Sequence, residues 1–364
     1  MRLGAICCAG IVCVLAVASA HCGGKAAPAA PSAPSSPSTP TPSPSPSPAP
    51  AGTFTVTCGT TAIDLAWSGV DTRACTITSA NGFDGDVALS CSGLPSASCE
   101  LDPPSVRVAP ERAGSSTLKI SYSEGMPFGV FDATATGTAG AGSTTATTTV
   151  SVQRDGNSIT RHCPSAADVA AIDSAVLLVF EHDPTAGKLV CLASEGSRDL
   201  TYLKASAYKG LSLIRHITFS APLPWTSGTM WQWFTSSVRG IRFRNQNFSS
   251  CCESDRMISM GTILAAAHPE QVIFSRLTDL TGGFLGVTVH ETRHANGKGF
   301  PHCAGSKDRN LAELGGIAVT YHLNRLLADS APAGFTTAQE RIGLLAVARN
   351  NCQNNYCEPQ SCSF

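Results

Sequence analysis

The chain has 364 residues and carries 25 Lys and Arg against 26 Asp and Glu, a formal net charge of −1; with no dense basic stripe, it lacks the electrostatic footprint of a nucleic-acid binder. Hydrophobic residues make up 43%, enough to build buried cores, yet after the first apolar run no second stretch of about 18 apolar residues suggests a membrane span.

Residues 1–20, MRLGAICCAGIVCVLAVASA, combine an early Arg2, an apolar run and the small-residue pattern Ala18-Ser19-Ala20, which predicts a secretory signal cleaved before His21. The chain is therefore expected to be secreted or displayed at a cell surface. Cys22 stands where a bacterial lipoprotein carries its lipidated cysteine, so a lipid anchor there is the alternative. Residues 21–52 read as a linker, because residues 26–50 alternate proline with small residues and contain nothing bulky enough for a core. Of the 16 cysteines, four fall at Cys58, Cys75, Cys91 and Cys99 and eight from Cys163 onward, even sets that predict disulfides closed within separate regions. Adjacent Cys251 and Cys252 are expected to reach different partners, and Cys303 to clamp a loop.

Residues 53–153 read in short β segments, TFTVTC, IDLAWS, GDVALSC, STLKISYS, FDATATG and TATTTVSV, separated by stretches rich in Gly, Pro, Ser and Asp. Each segment offers one apolar face, which predicts an antiparallel sandwich. The stretch from Gly82 to Ser123 resembles the immunoglobulin-like modules of secreted bacterial proteins, a resemblance that implies spacing or adhesion and brings no catalytic residues. A polar join at 154–161 follows. Residues 159–364 then read as an alpha+beta domain, with helices expected over 165–180 and 197–216 and strands at IRFR, MISMGTI and QVIFS.

The sharpest signal is FLGVTVHETRHAN, residues 284–296, read as one helix opened by Thr281 and the Gly282-Gly283 pair. His290 and His294 stand four apart and share a face, while Glu291 lies one residue round. This is the HExxH motif, and the segment resembles the zinc metallopeptidases of the zincin type. That resemblance implies Zn(2+) as cofactor, His290 and His294 as metal ligands, Glu291 as catalytic base, and a peptide or protein as substrate. The third ligand is open between two patterns. The metzincin pattern finds Gly297 in place but its last histidine late, at His302. The gluzincin pattern takes a glutamate from a second helix about twenty residues on, and Glu313 in Asn310–Ala328 meets it, with Gly315 and Gly316 allowing close helix approach. Glu313 is the preferred ligand and His302 the alternative.

The fold expected overall is multidomain: an all-beta immunoglobulin-like sandwich followed by a gluzincin-like alpha+beta metallopeptidase domain. Asp308 is expected either to cap the second metal helix or to orient a ligand histidine. Trp225, Trp231 and Trp233 line a pocket or pack in a core. The oxyanion donor is left open, since Tyr321 lies two turns beyond Glu313. The expected reaction is peptide hydrolysis; the alternative is a surface adhesion or binding protein that keeps the fold without turnover.

Overall fold

The computed structural model describes residues 52–140, 144–181, 200–244, 246, 248–252, 255–261, 277–296, 302–305, 307–360 and 362. The signal, the linker, Cys22, QVIFS and Gly297 lie outside the described residues. No helix among those described is long and apolar enough to cross a membrane.

Residues 50–364 form one compact unit, β-rich at its start and mixed beyond. Strands β1 (Thr53–Cys58), β3 (Gly69–Ala80), β7 (Gly114–Tyr122) and β5 (Ala97–Asp102) pair in that order in one sheet. The other sheet orders β2 (Ile63–Asp64), β9 (Thr144–Arg154), β8 (Gly129–Ala139), β4 (Gly85–Ser92) and β6 (Ser105–Val108). Pairing is antiparallel except for the short β2–β9 contact. Alternation drives the packing: in β7, Ser116, Leu118, Ile120 and Tyr122 point inward, and each fully buried aliphatic side chain contributes about 1.5–3 kcal/mol. Cys58–Cys75 joins paired neighbours β1 and β3, whereas Cys91–Cys99 links β4 to β5 across the two sheets.

Three strands escape the sequence pattern. In β3 the inward positions Cys75 and Ile77 are outnumbered by outward Thr and Arg, and β5 and β6 lie inside a stretch read as a Ser- and Pro-rich separator.

The join after the sandwich is buried rather than solvated. Arg154 is fully enclosed, and its guanidinium donates to the carbonyls of Met126, Trp67 (2.8 Å), Ala66 (3.3 Å) and Glu124 (3.4 Å) while lying 4.5 Å above the Phe128 ring. Asp155 then caps α1 (Gly156–Arg161) through a reciprocal pair with Ser158. Polar residues can be buried here because each has a partner. Trp67, carried by the sandwich segment, packs into the second core between His216 and Phe335, with ring centroids 4.9 Å and 6.3 Å away.

In the second region α2 (Ala166–Ala175) stops at Val176, and the run once expected to continue it forms strand β10 (Leu177–Phe180). That short apolar run, with Val179 and Phe180 in it, suits a strand paired parallel to β11 (Gly240–Arg244), which pairs in turn with β12 (Met257–Gly261). Helices α3 (Leu200–His216) and α4 (Met230–Ser237) lie in the β10-to-β11 crossover. Trp225 and Trp233 meet edge on at 5.7 Å inside this core, with Trp231 packed against it, so the tryptophans are core residues.

Replacing Arg154 with Ala leaves four carbonyls without their shared donor, and hydrogen bonds to charged groups are worth about 1.5–3 kcal/mol each. Arg154→Ala is expected to lose about 3 kcal/mol or more of stability, read from the urea midpoint. An unchanged midpoint would show that the join bears no load.

Candidate metal centre

Helix α5 (Leu277–Gly282) leads through Gly283 into α6 (Phe284–Ala295). The helix opens at Gly283, with no side-chain cap, rather than at Thr281. Phe284, Leu285 and Val289 are buried, and Phe284 stacks on Phe243 of β11 at 6.2 Å. Core packing thus fixes the rotation of the helix. The histidines emerge together on another face, their Nε2 atoms 3.1 Å apart.

The third member is His302. Its ring centroid lies 5.4 Å from that of His290 and 4.9 Å from that of His294, and one ring nitrogen from each histidine falls within 4.8 Å of the others. Tetrahedral ligands at a metal–nitrogen distance of 2.0–2.1 Å stand about 3.3 Å apart, so the closest pair already has metal-binding separation. Burial, together with the charges of its two neighbours, pushes the His290 imidazole down to about 3, and burial and His302 also lower that of His294. Both rings are neutral near pH 7, as ligation requires.

Glu313, the ligand favoured by the sequence, is not part of this cluster. Residues 310–328 do not form one helix: Leu311–Glu313 make a single 3-10 turn, Leu314 turns left-handed at φ 52°, and α7 (Gly316–Asp329) starts afresh. Glu313 is left on the outer turn, 3.6 Å from Arg309. The glycines do serve close approach: a Cβ on Gly316 would stand 2.7 Å from the His290 ring, and one on Gly315 would stand 2.5 Å from Asp308 Oδ2.

Asp308 takes the capping role, and the histidine it stands beside is His302 rather than His290 or His294. Its Oδ2 accepts from the N–H groups of Ile317 (2.8 Å) and Ala318 (3.2 Å), capping α7, and its Oδ1 lies 3.3 Å from His302 Nδ1. The histidine it faces is therefore the third one, with Nε2 left to the cluster. The loop carrying both is held by Cys303–Cys357 and by backbone bonds from Asp308 to Asn355 (3.1 Å) and from Cys357 to Asp308 (3.0 Å). Closing that 54-residue span constrains the unfolded chain by about 4 kcal/mol on a chain-entropy basis. A further lock joins the helices, as Arg293 Nε donates to the Leu314 carbonyl at 2.6 Å.

Glu291 is buried, at 7% exposure, and burial raises its carboxyl to about 7 against a hydrogen bond from the Cys251 N–H. Cys251 pairs with Cys252, not with separate partners, since Cys303 and Cys352 are taken by Cys357 and Cys362. The segment before this pair runs beside β12, where Ser250 and Ser259 exchange two bonds of 2.9 Å. Tyr321 is buried with Ala348 and Cys352.

No protein-family model matches the chain, and no curated protein does. Among solved structures, a FixG-related protein from Vibrio parahaemolyticus is similar over 28% of this chain and 95% of its own, at 10% identity and TM-score 0.23. Domains 4 and 5 of the S-layer protein SbsC align over 28% of this chain and 50% of theirs, at 15% identity and TM-score 0.20. A family 123 glycoside hydrolase from Clostridium perfringens aligns over 35% of this chain and 30% of its own, at 12% identity and TM-score 0.23. Likenesses this slight carry no weight for the chemistry of the histidine cluster.

The geometry makes the two candidate third ligands separable. Purified wild type is expected to hold one zinc per chain by elemental analysis. His302→Ala should lower zinc affinity by more than the roughly tenfold to hundredfold typical of losing a group behind a ligand, while Glu313→Gln should leave it unchanged. Loss of zinc in the glutamate variant, with retention in the histidine variant, would reverse the assignment.

Proposed function

We propose that this protein is a zinc-dependent hydrolase, by its chemistry a peptidase, with His290, His294 and His302 as metal ligands and Glu291 as general base. The observation that carries this reading is the convergence of three imidazoles, two of them one turn apart within HExxH and the third brought in by a disulfide-held loop. Imidazole donors suit zinc and its transition-metal neighbours rather than magnesium or calcium, and three histidines with one position left open are a composition used in catalytic zinc sites. The donor set corresponds to the three-histidine arrangement of the metzincin pattern, reached here with a longer spacing to His302.

The chemistry a bound zinc would supply is Lewis-acid activation of a scissile carbonyl and of water. The chain supplies the rest. Asp308 Oδ1 stands 3.3 Å from His302 Nδ1, the disulfide-held loop carries that ring, and Gly316 leaves room for the His290 ring, so the ligands are gathered before any substrate arrives. Glu291, with its carboxyl raised toward neutrality, is suited to accept a proton from attacking water and return it to the departing amine. Export of the chain fits its disulfides, and the amino-terminal sandwich is read as an immunoglobulin-like spacer.

The deciding variant is Glu291→Gln, which removes the proton acceptor without touching a ligand. Wild type is expected to hydrolyse a denatured protein or peptide library, and Glu291→Gln to do so about a hundredfold more slowly with its zinc retained. Equal rates from the two would sink the hydrolase assignment and favour a binding role.

A further inference from the structure

Away from the histidines, a cavity of about 200 Å³ opens where the sandwich meets the helices. Its walls bring together Trp67 and Asp71 of the sandwich, Ile159 of α1, and Lys209 and Ser212 of α3. Lys209 and Ser212 are one turn apart on the same helix and line the same space.

The polar groups of this cavity divide into two kinds. The acids are already engaged: Asp71 accepts from the Tyr122 hydroxyl at 2.8 Å, and Asp168 takes Arg215 and His216, the latter at 2.6 Å. The donors on α3 are not. Among the described residues Lys209 has no hydrogen bond or ion pair, and burial lowers its amine to about 8. The Ser212 hydroxyl is 2% exposed and has no hydrogen-bond partner. A buried polar group without a partner is costly, and a desolvated cation without a counter-charge more so. Two unanswered donors, a cation and a hydroxyl, beside Trp67 and Ile159 suit an anion that carries an apolar body.

We propose that this cavity is a binding site for a small organic carboxylate, whose oxygens pair with Lys209 and Ser212 while its carbon skeleton lies against Trp67 and Ile159. Such a carboxylate comes from two sources, a simple organic acid or a free amino acid. The amino acid would add an ammonium group for the remaining oxygen of Asp71. The site shares no residue with the histidine cluster, so its occupation is independent of the proposed hydrolysis and of zinc content.

Calorimetric titration of the full chain with sodium propionate and, separately, L-alanine tests this, with sodium chloride at equal ionic strength as control. Saturable one-to-one binding of either carboxylate is expected, and the tighter of the two identifies the source. Lys209→Met should weaken it about tenfold or more, as for loss of a buried charge partner, and Ser212→Ala by a smaller factor. Absence of saturable heat from both compounds, equal affinity in both variants, or equal binding of chloride would overturn the proposal. A second measurement needs no variant: labelling of Lys209 in wild type by an amine-reactive ester, read by peptide mass, should slow when propionate or L-alanine is present. Unchanged labelling with both would overturn it as well.

Discussion

The carboxylate of Asp308 is the point on which the arrangement around the three histidines turns. It is 3% exposed, so its charge must be answered from within the protein. The answer comes from the first N–H groups of α7, which need an acceptor and carry the positive end of the helix dipole, while His302 Nδ1 stands 3.3 Å from the other oxygen. One anion thus sets both where α7 begins and how the third imidazole is presented. Gly315 is small because a side chain there would occupy the space of this carboxylate, and Gly316 because one would strike His290. The start of α7 is shaped by its neighbours more than by its own helix propensity, since glycine is a poor helix former.

This dependence explains which parts of the site were legible in the sequence. His290, Glu291 and His294 are local: a helix period and an apolar flank suffice to place them together. The paired glycines also announced a close approach, though of an imidazole and a carboxylate rather than of two helix backbones. The third histidine of the cluster is not local. Counting along one continuous helix favours Glu313, but capping by Asp308 and the left-handed Leu314 divide that helix and turn the glutamate outward. The histidine that does arrive is delivered by tertiary hydrogen bonds and a disulfide, neither of which leaves a periodic trace.

The same contrast holds in the fold. Strands with strict alternation, such as β7, were readable, while β3, whose outward residues dominate, was not. The segment 154–161 looked like a solvated join because its residues are polar. Arg154, Asp155 and Ser158 are instead enclosed, and their hydrogen bonds turn the end of β9 into the start of α1 without a flexible break. The two hydrophobic cores are consequently stitched at this point, with Trp67 crossing from one segment into the core of the other.

The bridge between Cys303 and Cys357 also carries a meaning in time. The loop bearing His302 is steadied by backbone bonds between Asp308 and Asn355 and Cys357, so it cannot take its final form from the sequence around it. During vectorial synthesis the helix with the first two histidines emerges well before those partners do. The cluster is therefore completed only once that long-range contact has closed. The gathering of the three imidazoles is in this way tied to closure of the 54-residue span that the Cys303–Cys357 bridge holds.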